Sequence, residues 1–185
     1  MPRYVALLGS VNVGRNRVTM AELRRAFEGE GLSNVETVVA SGNVLFDHDA
    51  RPTDGLGEKL GALMLDHFGF TSTTLVRSRD ELAAALAGNP FASDGAPNLV
   101  HTMFLTAQPT AAQFDAMVLR YSGRGPERMA LGDRALHIDY VAGAGQSTLT
   151  GAFIERQLQC KGTARNIRSI ARIIAKLDEQ EGAGA

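Results

Sequence analysis

The order of apolar runs and helix signals in this sequence predicts an α+β fold of two packed ferredoxin-like halves of β-α-β-β-α-β type, the second ending in two helices. Three observations predict it. Short apolar runs alternate with capped, helically periodic segments in the order β-α-β-β-α-β as far as Val76. A polar stretch with Gly88, Pro90 and Pro97 follows, and beyond it the order β-α-β-β-α-α loosely echoes the first half without a residue-by-residue repeat. The expected organisation is a first half over 1–88, a linker over 89–98, a second half over 99–180 and a disordered tail over 181–185. Halves of this size gain core by packing on one another, so they are expected to fold as one cooperative body.

Tyr4-Val5-Ala6-Leu7-Leu8 is short, apolar and bounded by Gly9-Ser10, which favours a buried strand over a helix. Thr19 with Glu22 is a capping box, and Met20, Leu23, Ala26 and Phe27 follow at helical spacing until Gly31. Val35, Val38 and Val39 read as a strand, Ser41-Gly42-Asn43 as a tight reversal, and Val44-Leu45-Phe46 as the returning partner. Leu56, Leu60, Leu63 and Met64 mark a second helix, and Ser72 to Val76 a further strand. Ser78 with Glu81 caps a short helix that Gly88-Asn89-Pro90 ends. In the second half Leu99 to Leu105 reads as a strand, and Thr110 opens a helix with Phe114, Met117, Val118 and Tyr121. Arg128 to Leu131 and Leu136 to Val141 flank the turn Gly132-Asp133-Arg134, and two helices close the chain.

The 185 residues are 44% hydrophobic and 21% charged, the balance of an ordinary globule rather than of a disordered, collagenous or coiled-coil chain. One cysteine, Cys160, excludes an internal disulfide framework and a zinc site built on several thiolates. The net charge of −1 argues against a generic polyanion binder, although it is unevenly spread: +4 over residues 1–25, −7 over 26–147, +5 over 148–177 and −3 beyond. No signal peptide and no membrane-spanning run is visible, so a cytoplasmic, membrane-free protein is expected.

Chemistry is concentrated in two polar segments. Asn12, Gly14, Arg15 and Arg17 lie in the loop between the first strand and the first helix, where backbone N–H groups, a glycine and two guanidinium groups suit an anion. The loop lacks both the P-loop and the Gly-x-Gly-x-x-Gly signature, and the competing reading is a loop shaped by its asparagines with solvated arginines. Gly162-Thr163-Ala164-Arg165-Asn166 is chemically similar and is read as a second loop before a helix. If the two open on one edge, Arg15 or Arg17 with Arg165 supply charge, and Asn12, Thr163 and Asn166 supply hydrogen-bond donors. Ser41 and Asn43 reach the same edge or only make the reversal.

Arg165, Arg168, Arg172 and Lys176 form a basic stripe opposite Ile167, Ile170, Ile174 and Leu177, either a solvated face or a nucleic-acid surface without aromatic platforms. His48, His67, His101 and His137 stand singly, Cys160 has no neighbouring histidine, and no carboxylate pair stands out, so no catalytic residue, metal site or cofactor is assigned. The leading expectation is a small phosphate- or carboxylate-bearing ligand at the Arg/Asn loops. The alternatives are a non-catalytic homo-oligomeric interaction module, and nucleic-acid binding through the C-terminal helix; no motif for specific double-stranded recognition is present.

Leu7-Leu8 followed by Val11-Asn12-Val13-Gly14, then Met20-Ala21-Glu22-Leu23, Ser41-Gly42-Asn43-Val44 with Phe46, Asn89-Pro90-Phe91, and Gly162-Thr163 with Arg165-Asn166, resemble the bacterial family called domain of unknown function 1697. The resemblance spans nearly the whole chain and implies an α+β fold of ferredoxin-like units with no established activity. The chain departs from the family pattern in two places. Where the family typically reads Leu-Leu-Arg-Gly-Ile-Asn-Val-Gly-Gly, Gly9 and Ser10 replace Arg-Gly and Arg15 replaces the last Gly. Ile167 stands where the family's Gly-Thr-x-Arg-Asn-Trp-Asn-Thr has Trp.

Overall fold

A computed structural model describes residues 1–39, 42–49, 53 and 55–181. It contains eight strands and six α-helices among these residues: β1 (Arg3–Leu8), α1 (Met20–Gly29), β2 (Ser33–Thr37), β3 (Asn43–Asp47), α2 (Leu56–Phe68), β4 (Thr74–Ser78), α3 (Arg79–Ala87), β5 (Val100–Leu105), α4 (Ala111–Tyr121), β6 (Arg128–Gly132), β7 (Ala135–Asp139), α5 (Gly151–Leu158), β8 (Gly162–Asn166) and α6 (Ile167–Glu181). The strands form two four-stranded antiparallel sheets, ordered β2-β3-β1-β4 and β6-β7-β5-β8.

The chain divides into two compact units, Met1–Leu82 with Arg172–Ala185, and Ala83–Ala171. The division falls inside α3 and inside α6 rather than across 89–98. Residues 89–98 are folded into the second unit: Asn89 accepts the Phe91 N–H on its side-chain oxygen at 2.9 Å, and Asp94 pairs with Arg128 at 2.9 Å.

In the first unit the alternation of β1 places Tyr4, Ala6 and Leu8 on one face of the sheet. With Val44, Phe46 and Val76 they pack against Leu23 and Phe27 of α1 and Leu60, Leu63 and Met64 of α2. The opposite face, carrying Val5, Leu7 and Leu45, is also closed to solvent. Helix α2 comes close to the sheet because it presents glycine there: a Cβ at Gly57 would stand 2.6 Å from the Thr74 carbonyl oxygen. The second unit repeats the plan with Met103, Leu105, Leu136 and Ile138 against Met117, Tyr121, Ile154 and Leu158.

Four sequence expectations are corrected. Gly162 to Asn166 is not a loop but strand β8, paired along its length with β5, so a strand separates the last two helices. Its one β-branched residue and terminal Gly and Asn hide a strand that exists because β5 offers a ladder to complete. Arg165 therefore lies outside α6, and the buried stripe of that helix is Ile167, Ile170, Ile173 and Leu177 in place of one through Ile174. Strand β2 ends at Thr37, and Val39, read as part of it, has φ 54°, which no strand continues. Strand β4 starts at Thr74 because Ser72 is bonded to the loop after β1, its hydroxyl donating to the Gly9 carbonyl at 2.7 Å.

Candidate functional site

Antiparallel pairing brings three loops of the first unit to one end of its sheet: 9–18 after β1, 38–42 between β2 and β3, and 69–73 before β4. Backbone bonds tie them together. The Leu8 N–H donates to the Gly42 carbonyl at 2.7 Å and the Gly9 N–H to the Thr73 carbonyl at 2.9 Å. These loops carry Arg15, Arg17 and several hydroxyls but neither Asp nor Glu, so no carboxylate within them opposes an anion.

The first of the three has an unusual backbone. Ser10, Asn12 and Gly14 are left-handed, with φ 63°, 56° and 60°, whereas Val11 and Val13 between them are not. Alternation of hand along successive residues is the backbone pattern of an anion-binding nest, in which consecutive N–H groups turn toward one concavity. Val11 and Asn12 lie in a hydrogen-bonded turn, and among the described residues no acceptor is bonded to the N–H groups of Ser10, Val11, Asn12, Gly14 or Arg15. A Cβ built on Gly14 would have nothing within 4 Å, so the approach there is open. Ser10 takes this left-handed conformation although it is not glycine.

Side chains brace the loop from within. Asn12 accepts the Val18 N–H on Oδ1 at 3.0 Å, Arg17 donates to the Asn12 carbonyl at 2.8 Å, and Asn16 donates to the Ser10 carbonyl at 3.0 Å. Arg15 is exposed at the lip. The N-terminus of α1 is already filled: Glu22 accepts from the Thr19 N–H at 2.9 Å and from its hydroxyl at 2.7 Å, which holds the Glu22 carboxyl below its ordinary range. Any anion here is therefore held by the loop and not by the helix end.

Between the start of α1 and the end of α2, at this same end of the unit, Glu22, Arg25, Ala26, His67 and Phe68 line a groove of about 340 Å³. Arg25 lies one turn beyond Glu22, whose Oε2 is taken by Thr19, and its charge adds to the lowering of the Glu22 carboxyl.

The remaining predicted residues have other surroundings. Asn43 is buried and donates to the carbonyls of Val38 and Val39 at 3.1 and 3.2 Å, which holds the turn, while Ser41 lies outside the described residues. In the second unit Asn166 caps α6, accepting the Ser169 N–H at 2.8 Å. Thr163 is buried and accepts from Arg165 at 2.9 Å, and Arg165 also donates to the Ala164 carbonyl at 2.9 Å. Desolvation lowers the Arg165 pKa to about 10. Asn12 and Asn166 thus both engage their side-chain oxygens as acceptors of backbone N–H groups, where sequence reading had them as donors. Cys160 is a half-buried neighbour of the second core, and burial pushes its thiol up.

Two polar clusters of the second unit escaped sequence reading, since both depend on strand register. Thr102 faces His137 on one side and Arg165 on the other. Asn89 donates to the Thr102 hydroxyl at 3.3 Å, and the same hydroxyl is hydrogen-bonded to His137 Nδ1 at 3.0 Å. Beside the Asp139 end of β7, Glu127 accepts from Tyr121 at 2.8 Å and from Ser147. Among the described residues no group of three or more His, Cys, Asp or Glu is placed to hold a metal, and no helix is long and apolar enough to cross a membrane.

Comparison with known proteins adds a family and a fold. The family described as Protein of unknown function (DUF1697) matches residues 1–137. A solved structure of the conserved bacterial protein SP0830 from Streptococcus pneumoniae is 26% identical, with a TM-score of 0.73 over 96% of this chain and 99% of that one. No curated protein matches the chain.

Proposed function

The chain belongs to the DUF1697 family of proteins of unknown function, and from that premise we propose that it binds a small oxyanion at the nest Ser10–Arg15. The observation that carries this reading is the set of N–H groups of Ser10, Val11, Asn12, Gly14 and Arg15 without an acceptor among the described residues, on a backbone of alternating hand. Arg15 at the lip and Arg17 anchored on the Asn12 carbonyl add charge to a loop that carries no carboxylate of its own. Thr163, Arg165 and Asn166 are not needed for it. The strand orders β2-β3-β1-β4 and β6-β7-β5-β8 support reading each unit as ferredoxin-like, a scaffold that presents such loops at the ends of its sheet.

The nucleic-acid reading loses ground on the same facts. Arg165 lies in β8, and Lys176 is bound to Glu36 at 3.1 Å and Glu179 at 3.0 Å, leaving Arg168 and Arg172 as the exposed cations of the stripe. Two phosphate contacts are few for a nucleic-acid surface. Titration of isotopically labelled protein with inorganic phosphate tests the proposal. Amide shifts should concentrate on residues 10–15 and weaken in Arg15→Gly; an unchanged spectrum at those amides would overturn it.

A further inference from the structure

We propose that the bound molecule is a phosphate monoester with a ring-bearing body of the nucleotide class, its phosphoryl group in the Ser10–Arg15 nest and its ring in the groove between α1 and α2. This rests on the anion reading above and adds the identity of the rest of the ligand.

The donor count selects the head group. A carboxylate presents two oxygens, whereas a terminal phosphoryl group presents three strong acceptors to meet the N–H groups of Ser10, Val11, Asn12, Gly14 and Arg15 and the Arg15 guanidinium. The absence of Asp and Glu from all three loops suits a dianion.

The groove selects the body. It lies at the same end of the unit as the nest, because α1 begins where loop 9–18 ends and α2 ends where loop 69–73 begins. Its volume of about 340 Å³ accommodates a small ring system. The wall contributed by α2 is aromatic: Phe68 is half-buried, in ring contact with His67 at 6.2 Å and Phe70 at 6.5 Å between centroids. Aromatic faces of this kind stack heterocycles. The wall contributed by α1 carries Glu22, whose Oε2 is engaged by Thr19, and Arg25 one turn on. A carboxylate held in place beside a ring accepts from an exocyclic amine, and a guanidinium donates to a ring nitrogen or carbonyl.

Calorimetric titration of the full chain with inorganic phosphate, ribose 5-phosphate, adenosine 5′-monophosphate and adenosine separates head from body. The nucleotide should bind on the order of tenfold more tightly than ribose 5-phosphate, the weight of one base–aromatic stack. That advantage should shrink in Phe68→Leu and in Glu22→Gln, while phosphate affinity is unchanged in both. Glu22→Gln keeps the cap geometry and so reports even if the Phe68 variant folds poorly. Equal affinity for the nucleotide and ribose 5-phosphate, with phosphate still bound, would overturn this inference and leave the anion reading intact. Absence of binding by phosphate and both esters would overturn the two together, and adenosine binding as tightly as its monophosphate would also sink the present one.

Discussion

The two units join the same order of elements with different lengths of chain, the first being longer at one end of its sheet and the second, at 122–127 and 140–150, at the other. In the first unit residues 9–18 connect β1 to the cap of α1, whereas in the second residues 106–109 connect β5 to the cap of α4. The hairpin loop spans 38–42 in one and 133–134 in the other, and the loop before the last strand spans 69–73 against 159–161. All three longer loops meet at one end of the first sheet. The second unit shows that the fold closes without the extra residues, so their cost in conformational entropy points to a role other than connection.

Other features are held in common. Thr19 with Glu22 and Thr110 with Gln113 form reciprocal capping boxes. Arg77 on β4 and Arg165 on β8 occupy the same register against the central strand, opposite Val5 and Thr102 respectively. Each donates to the carbonyl of its preceding residue at 2.9 Å and stands just before the residue that caps the next helix, Ser78 or Asn166. The repeat is therefore one of backbone plan and cap chemistry, which is why no repeat of residues was visible.

The comparison is most severely tested in the cores. Phe27→Ala should cost about 3–5 kcal/mol and Met117→Ala about 2–5 kcal/mol, as both side chains are fully buried. Urea unfolding would measure this. A loss below 1 kcal/mol in one unit alone would show that the two cores do not carry equal weight.

Acid should separate the units. His101 and His137 both belong to the second, and burial lowers the pKa of each from the ordinary value of 6.5. The folded state thus takes up these protons later than the unfolded chain. Their contribution is fully present above pH 6.5 and is lost as pH falls from there toward the folded values, at up to about 1.4 kcal/mol per pH unit for each group. Replacing both by Gln should flatten the stability profile between pH 7 and 5; an unaltered slope would remove the histidines from the explanation.

The smallest effect is a matched pair. Thr19→Ala and Thr110→Ala should each cost about 1 kcal/mol in thermal or urea unfolding, because the caps are chemically alike despite the unequal loops before them. A marked excess at Thr19 would tie the long loop to the stability of α1.

What the sequence determined by itself was local. Thr19-x-x-Glu22 and Ser78-x-x-Glu81 announce helix starts because their bonds close within four residues, and both boxes are formed. The run Tyr4–Leu8 and the reversal at Asp133-Arg134 were legible for the same reason, periodicity and turn chemistry being short-range. The candidate loop was also legible as Arg- and Asn-rich, but its alternation of hand was not, since Ser10 and Asn12 do not demand a positive φ in the way glycine suggests one. Strand β8 exists because β5 needs a partner, the Asn89–Thr102–His137 chain because three distant segments fall into register, and the groove of Glu22 and Phe68 because α1 and α2 lie side by side. Each of these depends on contacts between residues far apart in the chain, and pairing of that kind leaves no periodic trace in the segments that take part in it.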